Sequence, residues 1–276
     1  MENEKFAALG QLPPFPAITT KLLRALAHDD SQTTEIVNLI HADAALASQL
    51  LRVVNSAMYG ARVPITSIQH AVIRLGFEEV RKFALTVSMK NFLRTPLRFD
   101  LLRGMWRHSL ACGIICDELA SACSSNAYSR DDNAYTAGLL HNVGRLGLFV
   151  TYPERYADLL EHAEGADMMK LERQAFAMDH CSAGAWLARN WGLPEAVQLA
   201  ASRHHQPLDP GAFGLLNMVR LGVLLSEALG FDVIPPAHTL TLAEIRAMLP
   251  AAAQYRFDPD PDALKSKITA QLDTFD

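Results

Sequence analysis

Ala137-Gly138-Leu139-Leu140-His141-Asn142-Val143-Gly144-Arg145-Leu146 is the stretch on which the reading of this chain turns. It lies in a run of helical spacing that predicts a helix over 134–149, with a histidine and an amide side by side. A histidine followed by an aspartate can hold a divalent cation through a nitrogen and a charged oxygen. His141-Asn142 offers only neutral donors. Arg145 reads as a surface or helix-end cation.

Outward from this stretch the apolar periodicity is helical almost everywhere. Ile36, Leu39 and Ile40 share one face, and Leu46, Leu50, Val53 and Val54 repeat the pattern after Asp43, a suitable N-cap. Ser67 caps a helix carrying Ile68, Ala71, Val72 and Leu75; Gly76 stops it, and Val80, Phe83, Ala84 and Val87 form the next stripe. Turn chemistry at Arg94-Thr95-Pro96 closes this first bundle, and Asp100 starts a long helix through Met105, His108, Cys112, Ile115 and Leu119. Ser121 to Asn133 reads as a loop. Further helices are expected near 154–164, 168–178, 180–191, 195–205 and 212–229, and no strand is expected. Beyond Gly230, the prolines Pro235, Pro236 and Pro250 leave a short helix near 241–249, and Asp260-Pro261 opens a terminal one.

Composition sets outer bounds. With 276 residues, half of them hydrophobic and a fifth charged, the chain can bury one large core or two adjoining ones. No apolar run reaches the roughly 20 residues that span a bilayer, and Met1-Glu2-Asn3-Glu4-Lys5 lacks the start of a secretory signal, so a cytoplasmic protein without a membrane partner is expected. Cys112, Cys116, Cys123 and Cys181 form no CxxC pair and read as buried free thiols. A net charge of -5 without a long basic run argues against a nucleic-acid partner. Walker, GxSxG, HExxH and dinucleotide-binding patterns are absent.

Several segments in order resemble the HDOD family, the HD-related output domains of bacterial signalling proteins. Leu12-Pro13-Pro14-Phe15-Pro16 is similar to its proline-rich opening. His41-Ala42-Asp43-Ala44-Ala45-Leu46, followed by Leu50-Leu51-Arg52-Val53-Val54-Asn55-Ser56-Ala57-Met58-Tyr59-Gly60, is similar to its most recognisable stretch. Ser67 to Gly76 matches the next helix. His180 with Gly184-Ala185-Trp186-Leu187, Trp191-Gly192-Leu193-Pro194 and His204-His205-Gln206-Pro207 resemble its second half. The resemblance implies an all-α fold: an N-terminal helical bundle (1–95) packed on a degenerate HD-type helical core (96–230), with a C-terminal helical extension (231–276).

The same resemblance sets out a vestigial pocket of His108, His141, Asn142, His180, His204, His205 and Val223. His108 and His141 match histidines of a catalytic HD domain, whereas Asn142 and Val223 stand where its aspartates would be. The chain is then expected to be no enzyme, to need no cofactor and to hold no metal; were a metal bound, His108, His141 and His180 would hold it. His108, on the apolar face with Met105 and Cys112, also reads as a core histidine satisfied by hydrogen bonds. An all-histidine cluster binds zinc or nickel, but without fixed carboxylates behind it the geometry is poorly enforced.

Asn55, Ser56 and Tyr59 have two readings. They form a partner-binding turn with Tyr59 as anchor, or a structural turn in which Asn55 and Ser56 bond to backbone, Gly60 turns left-handed, and Met58 and Tyr59 fasten the next loop. Trp186 and Trp191 read as packing residues. The expected function is a non-catalytic signal-transduction module acting through protein–protein interaction, its partner a response regulator or a cyclic-dinucleotide enzyme. The alternatives are a metal-dependent phosphohydrolase with an altered, His-rich ligand set, and a sensor of small anions in the vestigial pocket.

Overall fold

The computed structural model describes residues 6–26, 33–56, 59–60, 63–92, 99–124, 131, 133–163, 167–209, 213–234, 240–257 and 260–275. Every regular element among them is helical. Arg94-Thr95-Pro96, Pro235-Pro236, Met58 and most of the expected loop Ser121 to Asn133 lie outside the described residues. The chain divides into two compact units, one from Met1–Pro13 and Thr95–Lys265, the other from Pro14–Arg94 and Ser266–Asp276. This division differs from three consecutive segments cut at 95 and 230: described residues on both sides of Gly230 share one unit.

In the unit containing Pro14–Arg94, α1 (Ala17–Leu26), α2 (Thr33–His41) and α3 (Ala44–Val54) all pack on α4 (Ile68–Phe92). The periodic stripes explain this, since Ile36, Ile40, Leu50, Val53, Val54, Ala71, Val72 and Val80 are all buried. Asp43 caps α3, its Oδ1 accepting from the Ala45 and Leu46 amides at 3.0 Å each. Gly76, at φ 78° and ψ 161°, breaks α4 into two stripes that face the core separately. Helix α1 is not among the expected elements; it begins directly after Pro16 and buries Thr19 and Leu22.

The other unit is built along α5 (Phe99–Cys123), against which α6 (Ala134–Leu140) and α12 (Leu215–Ala228) pack. Both neighbours approach closely because they present glycine. A Cβ on Gly138 or Gly222 would lie 2.7 or 2.6 Å from Cys116 Sγ. Cys112 and Cys116 are buried free thiols filling that contact.

The expected helix over 134–149 is two helices, α6 and α7 (Val143–Thr151), with an elbow at His141-Asn142. The His141 imidazole bonds through Nδ1 to the Gly138 carbonyl at 2.6 Å. A continuous helix would give that carbonyl to the Asn142 amide, so the side chain displaces a backbone bond and the axis turns.

Helices α8 (Pro153–Glu161), α9 (Met168–Phe176), α10 (His180–Asn190) and α11 (Glu195–Arg203) follow, then α13 (Leu242–Ala247), α14 (Ala251–Gln254) and α15 (Pro261–Phe275). Helix α7 lies on α10 through glycine against glycine, since a Cβ on Gly144 would come within 1.9 Å of the His180 carbonyl oxygen and 2.3 Å of the Gly184 nitrogen. Phe6 stacks on Trp186 with centroids 5.5 Å apart, giving that indole a packing role. No helix among the described residues is long and apolar enough to cross a membrane.

Candidate functional site

Four stretches of the α5–α12 unit converge on a row of imidazoles. His108 projects from the middle of α5, His141 from the elbow, His180 from the first turn of α10, and His204 and His205 from the end of α11. Ring centroids are 5.2 Å apart for His108–His141, 4.9 Å for His141–His204, 5.3 Å for His204–His180, and 4.9 and 4.3 Å from His205 to His180 and His204. The first four are buried and His205 is exposed to solvent.

The outer nitrogens of the buried four are all engaged. His108 Nδ1 meets the Phe231 carbonyl at 2.9 Å, with Ser226 Oγ at 3.3 Å; His141 Nδ1 meets Gly138; His204 Nδ1 is 3.2 Å from the carbonyls of Ala200 and Ala201; His180 Nδ1 is 2.5 Å from Glu172 Oε2. Carbonyl and carboxylate oxygens only accept, so each Nδ1 bears the proton and each Nε2 is left with a lone pair. Burial pushes His108 down to about 4, against the pull of its Phe231 bond. Burial and neighbouring imidazoles hold His141 and His204 well below the ordinary range. All are neutral at neutral pH.

Behind His180 stands a group that the sequence reading missed. Glu172, fully buried on α9, accepts on Oε2 from the His180 amide at 2.8 Å as well as from its Nδ1, and on Oε1 from Tyr156 Oη at 2.5 Å. Burial pushes its pKa up, but His180, Arg145 and Tyr156 outweigh that and hold it low. His180 is lowered by burial and by Arg145, which together exceed the pull of Glu172. The pair is therefore an ionised carboxylate accepting from a neutral imidazole. A sequence signal was present: Met168, Glu172 and Phe176, spaced by four, form the buried stripe of α9, with an acid in its middle.

Asp179, the α10 N-cap, takes the Ser182 amide at 2.8 Å and Arg173 at 2.6 Å. Cys181 follows His180. Its thiol is pushed up to about 12 by burial, then by Asp179 and Glu172.

Arg145 is not a surface cation. It is 7% exposed, its Nε has no hydrogen-bond partner, and its charge acts on His108, His141, His180, His204 and His205. It lies in the entirely buried stretch Val143 to Phe149. Asn142 is also buried, and its Oδ1 is unpartnered. Val223 is buried on α12, and its carbonyl accepts from the same Ser226 hydroxyl that touches His108.

The Asn55 turn belongs to the other unit. Asn55 donates to the Leu51 and Ile65 carbonyls at 2.7 and 2.8 Å and accepts from the Ile65 amide at 2.7 Å, clasping the loop across ten residues. Gly60 is left-handed at φ 54°. Tyr59 donates to Glu79 at 3.3 Å, and its carbonyl accepts from Arg74 at 2.8 Å, whereas the buried Ser56 Oγ has no partner.

An all-helical unit with histidines gathered on a helical elbow is the HD type of architecture, and the comparisons agree. Residues 12–207 match the model of the HDOD domain, and the chain belongs to that family. It is 30% identical over 199 residues to an uncharacterised protein of Treponema pallidum (strain Nichols), spanning 71% of this chain and only 38% of that relative's length. Among solved structures it resembles a candidate phosphohydrolase from Shewanella amazonensis SB2B (TM-score 0.72, 22% identity, covering 99% of this chain and 98% of that one). It also resembles a candidate signal transduction protein from Marinobacter aquaeolei VT8 (0.77, 22%, 99% and 65%) and an HDOD domain protein of unknown function from Geobacter sulfurreducens (0.68, 24%, 99% and 95%). At these identities the likeness establishes the fold.

Proposed function

We propose that this chain is a signalling module that acts by docking a protein partner, a response regulator or a cyclic-dinucleotide enzyme, and does not hydrolyse phosphoesters. Membership of the HDOD family and the likeness to a candidate signal transduction protein support the signalling role. The non-catalytic reading rests on one observation: next to His141 in the chain stands the buried, unpartnered amide oxygen of Asn142, and the nearby Arg145 charge disfavours a cation at that ring. Metal-assisted phosphoester hydrolysis on a His-Asp pair relies on the carboxylate to hold the dication beside the imidazole and offset its charge. Here His141 is followed by a neutral amide, and the buried Arg145 charge acts on all five imidazoles. Glu172 does not replace the missing carboxylates, because its two oxygens are already engaged by three donors.

The test is phosphate release by the purified full chain from nucleotides and cyclic dinucleotides in the presence of divalent cations. No release above that of His141→Ala is expected. Turnover that His141→Ala abolishes would refute the proposal.

A further inference from the structure

The unit that contains Asn55 carries a surface with a charge of its own. From Ala44 to Phe77 the sequence has no aspartate, glutamate or lysine, yet it has arginines at 52, 62 and 74, in a chain whose net charge is -5. Arg62 lies outside the described residues; Arg52 and Arg74 are exposed. The same stretch contributes Val63 and Ile73, 75% and 64% exposed, which are two of the four large apolar side chains facing solvent among the described residues. One exposed apolar side chain needs no explanation. A pair of them accompanied by cations alone, in an acidic chain, does.

The backbone that presents them is fixed at several points. Asn55 clasps Ile65 to the end of α3, and the Arg74 guanidinium donates to the Tyr59 carbonyl at 2.8 Å, which joins the loop to α4. Val63 lies between the two pinned residues, Tyr59 and Ile65, and Ile73 directly precedes Arg74. By their spacing of three and four, His70, Ile73 and Arg74 share one exposed face of α4, and Arg52 stands one turn before Asn55 on α3. The acids that bound the stretch are engaged elsewhere. Asp43 caps α3, and Glu78 and Glu79 bond to Arg81 and Lys82 at 2.8 and 3.0 Å. No salt bridge among the described residues engages Arg52 or Arg74.

We propose that Val63 and Ile73, with Arg52 and Arg74 beside them, form the surface on which a protein partner docks, and that this partner presents carboxylates around an apolar side chain. The inference rests on the docking reading above and gives the partner its chemistry. Three points select this occupant. Guanidinium groups without an ionic partner, on a face without acids, complement carboxylates, which they grip as planar forks. The cations are arginines with no lysine among them, as at protein–protein contacts, whereas membrane-seeking segments gather roughly four or more basic residues. A second copy would bring the same cations to this face, so a two-fold pairing through it sets like charges together. The fixed backbone also lowers the cost of ordering on binding. Asn55 and Tyr59 then act from behind the surface, holding the loop that bears Val63.

The experiment screens a phage-displayed library of short random peptides on the immobilised full chain, with counter-selection on the double variant Arg52→Glu, Ile73→Asp. Both side chains are exposed, so circular dichroism and thermal melting of the variant should match the parent. Should it unfold, Arg52→Gln with Ile73→Thr takes its place. The expected winners are net acidic and carry an apolar side chain. Once synthesised, they should bind the parent roughly 10-fold or more tightly than the variant, with association slowing as salt is raised. Winners that are neutral or basic, or none that survives counter-selection, overturn the inference. Vesicles of phosphatidylglycerol in phosphatidylcholine, and duplex DNA, are run against the same two proteins. Binding of either by the parent and not the variant assigns the face to lipid or nucleic acid and overturns it as well. Phosphate release that His141→Ala abolishes refutes the docking proposal and leaves an acid-selecting face in place; a failed screen without turnover removes this face alone.

Discussion

Gly144→Ala tests the contact that holds the site together. The new methyl would sit 1.9 Å from the His180 carbonyl oxygen, 2.3 Å from the Gly184 nitrogen and 2.8 Å from the Gly184 Cα. All three are backbone atoms, so no side chain can swing aside. Ordinary contact requires α7 and α10 to part by roughly 1.5 Å. Overpacking of this kind costs about 3 kcal/mol, while exchanging glycine for alanine within a helix returns about 1 kcal/mol. A net loss of about 2 kcal/mol corresponds to a melting temperature lower by about 4–8 °C for a domain of this size. Gly147→Ala is the internal control. Its methyl would meet Leu187 Cδ1 at 2.4 Å, the movable end of a side chain. Urea and thermal unfolding of both variants against the parent chain measure the difference. Equal stability of Gly144→Ala and the parent, or a greater loss at Gly147, would show that the glycine contact does not position His180.

Two further outcomes are expected. His108 binds its proton near 6.5 when unfolded and only near 4 when folded, so the unfolded state holds the extra proton through that window. Stability should therefore fall as pH drops, by about 2 kcal/mol between pH 7 and 5 from His108 alone; urea midpoints that stay flat over that interval would contradict the buried neutral imidazole. Asn55→Ala removes three bonds of the loop clasp and should cost about 1–2 kcal/mol, with faster hydrogen exchange at the Ile65 amide. Unchanged exchange there would return Asn55 to the surface as a candidate contact for a partner.

The helices were legible because their apolar spacing is regular: the stripes through Ile36, Leu50, Val72 and Val80 all face a core. The elbow was not. Periodicity runs straight through His141-Asn142, and only a three-dimensional fact, the His141 ring taking the Gly138 carbonyl, divides the run in two. The histidines were legible as residue types, since imidazole is rare enough to notice. Glu172 and Arg145 were not, because charged residues in helices normally face water and nothing local marks the ones that turn inward. Neither was the orientation of the His108 ring, which depends on the carbonyl of Phe231, 123 residues away.

That last contact bears on how the protein can be dissected. A fragment ending at Gly230 would keep every histidine of the row yet leave the His108 ring without the oxygen that fixes its tautomer. Such a trimmed piece would have Ser226 as the remaining neighbour of that nitrogen, and a hydroxyl can either give or take a proton. Titration curves from the shortened form would then describe a ring free to turn its lone pair outward. A fragment that includes Phe231 keeps that oxygen in place.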